Sequence, residues 1–144
     1  MDKFSVRDEI IETINKLFVF TDTRRWEELQ FEVFANLVMF DMTSVGGVKE
    51  ELSAKAICEM WAKDFAGLDH VHHHAGNYLV HLHDATAHVT CYATATHYKA
   101  SALKGKTRDF VGSYDIRLMK GASGWRIYEF SYMLKFITGN TDLV

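Results

Sequence analysis

Apolar positions recur at helical spacing in the first half of the chain and alternate in the second. Val6, Ile10, Ile14, Leu17 and Phe18 form one stripe, which predicts a helix over residues 5–20. Ser5 suits its N-cap, and Asp8 stands three places later, where a capping box wants an acid. The stripe ends at Phe20-Thr21-Asp22-Thr23. Asp22 or Thr23 is placed there to cap a second, shorter helix carrying Trp26 and Leu29. Residues 36–42 read as a short strand and Ser44-Val45-Gly46-Gly47 as a loop. Residues 49–66 read as a third helix, with Leu52, Ala56, Ile57, Met60, Trp61 and Phe65 on its inner side and Gly67 as its stop.

After Gly67 the period changes to two. Residues 70–83, 87–98, 107–119 and 124–137 read as strands, with turns at 84–86 and 120–124. Helices first and a strand meander afterwards predict an α+β fold over one domain, residues 1–144. Its expected form is a cone-shaped, strongly curved antiparallel (mixed) sheet wrapped around three N-terminal helices. Strands this long must bend, and Gly76 and Gly112 are the candidate bulge points.

A cone has an open end, and strand parity suggests what faces it. In residues 87–98 the odd row is Ala87, Val89, Cys91, Ala93, Ala95 and His97. Its small apolar members place it inward, which puts an imidazole at the end of an apolar row. Ala93 and Ala95 leave volume that larger residues would fill. Asp22 follows the apolar stripe directly and reaches the cavity if that stripe crosses the mouth. Paired with His97 or His73 it would make an acid/base unit, because a carboxylate on one imidazole nitrogen raises the basicity of the other. Tyr78, Val80 and Leu82 extrapolate back to His72 and His74 as inward residues, so an inward His73 needs a bulge at Gly76.

Composition narrows the function classes. The formal net charge is −3, which disfavours nucleic acid as a partner because phosphate binding needs a basic field. No apolar run approaches a membrane span. The start of the chain carries no signal-peptide pattern, and the two cysteines, Cys58 and Cys91, form no disulfide framework. A reduced, cytoplasmic protein is expected. The run His72-His73-His74 invites a metal reading, but neighbouring strand residues point to opposite faces, so no metal is expected.

The chain resembles the SnoaL-like branch of the nuclear transport factor two-like superfamily, the group with scytalone dehydratase and bile-acid dehydratase. The resemblance rests on Phe20-Thr21-Asp22-Thr23-Arg24-Arg25-Trp26, Val38-Met39-Phe40-Asp41, His73-His74-Ala75-Gly76-Asn77, Ala93-Thr94-Ala95-Thr96-His97, Gly124-Trp125-Arg126-Ile127 and Phe136-Ile137-Thr138-Gly139-Asn140. It implies acid/base chemistry by Asp22, His73 and His97, with Asp22 orienting His97 as base and His73 donating. It also implies homodimerisation through the open sheet face. The aromatic residues of the last strands, Trp125, Tyr128, Phe130, Tyr132 and Phe136, agree, being more than one face of a monomer buries unless the helices cover them. Thr21 and Met42 stand where the dehydratases carry tyrosines, so a phenol would have to come from Tyr78, Tyr114, Tyr128 or Tyr132.

The function expected is that of a cofactor-independent lyase or isomerase acting on a small apolar cyclic or aromatic molecule. Its pocket is expected to be lined by Phe18, Met39, Trp61, Phe65, Cys91, Ala93, Tyr114 and Tyr128. The alternatives are a non-catalytic ligand carrier and a structural subunit like the small subunit of ring-hydroxylating dioxygenases. Arg24, Arg25, Glu27 and Glu28 are expected on a solvated helix face.

Overall fold

A computed structural model describes residues 3–144. Helix α1 (Val6–Asp22) starts in the expected capping box: Asp8 N–H donates to Ser5 Oγ at 3.1 Å, and Ser5 N–H donates to Asp8 Oδ2 at 3.2 Å. Each bond satisfies an amide that the first helical turn leaves without a partner. Ile10, Ile14, Leu17 and Phe18 are buried, whereas Val6 lies exposed at the helix start.

The helix runs two residues further than its apolar stripe, so Asp22 is its last residue and not the cap of the next one. Short helix α2 (Trp26–Glu28) has no side-chain cap and passes directly into a π-helical turn, Leu29–Val33. Arg25 is exposed and pairs with Glu28. Arg24 is exposed as expected but lies outside a helix: it takes φ 58° and donates from Nη2 to the carbonyls of Phe65 at 3.1 Å and Leu68 at 2.6 Å. That ties the segment after Asp22 to the end of the third helix.

Strand β1 (Phe34–Asp41) leads through a tight turn to β2 (Lys49–Ser53), and helix α3 (Ala54–Asp64) follows. The sequence placed residues 49–53 in the helix. The real start is Ser53, whose Oγ accepts from Ala56 N–H at 3.0 Å. Lys49, Glu50 and Glu51 offer no apolar stripe, and they extend the sheet as a charged edge strand along β1. The remaining strands are β3 (His70–His83), β4 (Thr86–Tyr98), β5 (Thr107–Gly121) and β6 (Gly124–Gly139).

The six strands form one open, curved, mixed sheet in the order β2-β1-β6-β5-β4-β3, antiparallel except where β1 runs parallel to β6. Bulges bend it at both expected glycines. On β3 the register shifts between Gly76 and Leu79, and Asn77 adopts φ 57°. Val71 and His73 point inward before the shift, and Tyr78 and Val80 after it. On β6 the register shifts opposite Gly112. There a Cβ would collide with the Met133 carbonyl oxygen and stand 2.7 Å from the Tyr132 hydroxyl, so only glycine fits. A second shift on the β5–β6 ladder leaves Tyr128 as the extra residue.

The inner sheet face packs on α1 and α3. Their buried stripes meet Val89, Cys91, Ile116, Leu118, Ile127 and Phe130 in one cluster. An aromatic group fills its upper part: Phe40 stacks on Phe130 at 5.4 Å, and Trp61 meets Phe130 edge-on at 5.7 Å. Among the described residues, no helix is long and apolar enough to cross a membrane.

Candidate active site

The core does not fill the cone. A cavity of about 300 Å³ opens at the His97 end of β4. Trp61 and Phe65 line it from the α3 side, Phe110, Tyr114 and Tyr132 from the sheet, and His73 and His97 face into it. Ala95 supplies the room, since any larger side chain at that buried position would intrude.

The last residue of α1 reaches across to β3. Asp22 Oδ1 accepts from His73 Nδ1 at 2.6 Å, and Asp22 Oδ2 accepts from the His73 backbone N–H at 2.7 Å. One carboxylate thus grips both the ring and the chain of His73. The side chains retain only 14% and 9% of their accessibility, so water competes little for either bond. Phe18 stacks on the imidazole at 5.1 Å and fixes its plane. Because a carboxylate only accepts, the neutral ring carries its proton on Nδ1 and a lone pair on Nε2. Nε2 has no hydrogen-bond partner among the described residues.

His97 has a different environment. Its Nδ1 accepts from Arg108 Nε at 3.1 Å. Phe65 and Phe110 pack on the ring at 5.5 and 5.1 Å. Burial, then the Arg108 cation, then His73 push its pKa down to about 4, against the opposing pull of Asp22 and Asp109. His97 is therefore neutral at physiological pH. The expected Asp22–His97 pair is corrected to an Asp22–His73 pair: the bulge at Gly76 turns His73 inward beside the end of α1, and Arg108 occupies the nitrogen of His97.

Tyr114 and Tyr132 bring phenols to the same chamber, their rings 4.8 Å apart. Burial pushes the Tyr132 hydroxyl up to about 12 and that of Tyr114 further still, so both stay protonated donors. The Tyr132 hydroxyl is buried beside Gly112 with no hydrogen-bond partner among the described residues, an arrangement that carries a cost.

Of the expected pocket residues, Trp61, Phe65 and Tyr114 line the cavity. Phe18 forms the wall behind His73. Cys91 and Ala93 sit further along the inward row, inside the packed cluster, because the chamber begins only at Ala95. Met39 lies on the outer face, since its neighbours Val38 and Phe40 take the inward positions. Tyr128 is carried off the inner row by its bulge. His72 and His74 are exposed, and His88 pairs with Asp115 away from the chamber. Sequence reasoning missed Arg108 altogether. Its signal was its position opposite His97 in the strand ladder, legible only once the hairpin register is known.

Residues 2–131 match the family described as SnoaL-like domain. No curated protein matches the chain. Among solved structures, the Kfla4162 protein of Kribbella flavida superposes with a TM-score of 0.88 at 20% identity, over 95% of each chain. A candidate aromatic ring hydroxylase from Novosphingobium aromaticivorans gives 0.82 at 18% identity, over 98% of this chain and 99% of the other. A candidate scytalone dehydratase from the same organism gives 0.77 at 14% identity, over 90% and 84%. At these identities the likeness is one of fold.

Proposed function

We propose that this chain, which belongs to the SnoaL-like domain family, is a cofactor-independent acid/base enzyme of the lyase or isomerase type. Its substrate is a small, flat, uncharged carbonyl compound. The observation that carries the reading is the two-point grip of Asp22 on His73 beside an apolar chamber. The grip leaves His73 Nε2 as an oriented base. His97 and the tyrosines then supply donors for an oxygen, so the roles expected for the two histidines are exchanged.

In the proposed step, His73 Nε2 takes a proton from the carbon next to the carbonyl. The C–H electron pair moves into the new carbon–carbon double bond, and the carbonyl pair moves onto oxygen. Hydrogen bonds from His97 and a tyrosine hydroxyl hold that oxyanion. The imidazolium, stabilised by Asp22, returns the proton either to another carbon, which isomerises the substrate, or to a departing hydroxyl, which dehydrates it. Positioned acid/base groups contribute on the order of 10²–10⁴-fold. A dry cavity of about 150 Å³ already holds benzene, so a chamber of this size suits one or two fused rings. Asp22 behind His73 and Asp64 at the rim of the chamber disfavour an anionic substrate.

Two further features belong to this reading. Cys58 and Cys91 are buried free thiols, which suits a reducing, cytoplasmic setting. Leu79, Tyr92 and Met133 are exposed on the outer sheet face, which suits a homodimer paired through that face.

The test uses 2-tetralone in deuterated buffer, with loss of its α-proton signals followed by NMR. The protein should accelerate exchange, and His73→Ala should remove the acceleration while the protein stays folded. Absence of acceleration, or full activity in His73→Ala, overturns the proposal. Saturable binding of 2-tetralone without exchange would support a carrier instead.

A further inference from the structure

We propose that Arg108 is a positioning residue that fixes His97 in its Nε2–H form, making the second histidine a neutral hydrogen-bond donor; the catalytic meaning rests on the function proposed above. A guanidinium has five N–H donors and no lone pair to accept with. Arg108 Nε lies 3.1 Å from His97 Nδ1, so that nitrogen must be the acceptor. A neutral imidazole carries one proton, which is then on Nε2. In this form the Nε2 atom of His97 cannot take a proton, and it can donate one hydrogen bond to an oxygen in the chamber.

Arg108 is itself held. It faces His97 directly in the β4–β5 ladder. Its Nη1 donates to the Thr141 carbonyl at 2.9 Å, and the guanidinium lies over the Phe110 ring at 5.3 Å. The turn after β6 therefore fixes the guanidinium, which fixes the tautomer. The charged or titratable groups acting on His97 are Arg108 and Asp109 on β5, His73 on β3 and Asp22 on α1. Burial first, and then the Arg108 cation, oppose protonation of His97 and outweigh the pull of the two carboxylates.

The two histidines thus face one chamber in opposite tautomers. A neutral His73 has its proton on Nδ1, towards Asp22, and presents a lone pair. His97 has its lone pair on Nδ1, towards Arg108, and presents a proton. The division of labour is set by one carboxylate and one guanidinium, neither of which needs to touch the substrate.

The test is imidazole ¹H–¹⁵N NMR of the labelled whole protein without any ligand, recorded from pH 4 to 8. Wild-type His97 should show a protonated Nε2 and a bare Nδ1, with no titration until pH nears 4. In Arg108→Met the Nδ1–H form should become populated and the midpoint should rise by about one pH unit or more. Arg108→Lys, which keeps a cation with donors, should retain more of the low midpoint than Arg108→Met. A wild-type His97 protonated on Nδ1, a wild-type midpoint near 6.5, or an Arg108→Met spectrum identical to wild type would overturn the proposal. The wild-type spectrum decides even if Arg108→Met does not fold. Because no substrate is involved, failure here is separable from failure of the exchange reaction.

Discussion

Acidification should expose the cost of burying His97 without a charge. An unperturbed histidine titrates near 6.5, whereas His97 in the fold is pushed down to about 4. The unfolded chain therefore binds a proton that the native state refuses between those values. Stability rises with pH wherever the unfolded state holds more protons. The His97 contribution is thus fully favourable above pH 6.5 and is lost as pH falls towards 4. A difference of about 2.5 units at about 1.4 kcal/mol per unit bounds the loss at about 3 kcal/mol. At pH 4.5 most of it, about 2–3 kcal/mol, should already have appeared. The ring is only 7% exposed, so solvent screening does not reduce this. His97→Gln keeps an acceptor for Arg108 and removes the titration. Urea unfolding at pH 7.5 and 4.5 should show wild type losing about 2–3 kcal/mol more than His97→Gln. Equal losses in both proteins would refute the assignment of His97 as a buried neutral imidazole.

Other substitutions separate chemistry from packing. Asp22→Asn keeps one acceptor for the His73 backbone amide but presents an NH₂ group to Nδ1; α-proton exchange should fall on the order of 10²–10⁴-fold, with a stability loss of about 1–3 kcal/mol in urea unfolding. Ala95→Leu should fill the chamber, abolishing 2-tetralone binding in a titration while thermal unfolding shows an intact fold. Gly112→Ala forces a methyl against the Met133 carbonyl and the Tyr132 ring, and chemical denaturation should show it less stable by about 1–3 kcal/mol.

Much of the architecture was legible because periodicity is local. The Val6-to-Phe18 stripe, the Ser5–Asp8 box and the alternation of Ala87 through His97 each follow from spacing alone. The extra strand over residues 49–53 was hidden because an exposed edge strand carries no apolar alternation. The inward turn of His73 lay at the limit of what parity can say: Tyr78 and Val80 argued against it until a bulge at Gly76 was allowed. Which imidazole meets Asp22 was beyond reach, because it depends on where the end of α1 crosses β3. Arg108 was invisible for a similar reason: its role arises from pairing across a hairpin eleven residues apart. The same limits displaced Met39 and Tyr128 from the expected pocket, one by strand parity and one by a bulge.

Which nitrogen of His73 holds the proton decides most directly whether the proposed chemistry is possible. Imidazole ¹⁵N spectra of the neutral ring should show Nδ1 protonated and Nε2 bare, with a far-downfield Nδ1 proton that disappears in Asp22→Asn. A neutral His73 protonated on Nε2, or a ring whose spectrum ignores the loss of the Asp22 carboxylate, would contradict the acid/base unit on which the proposed chemistry is built.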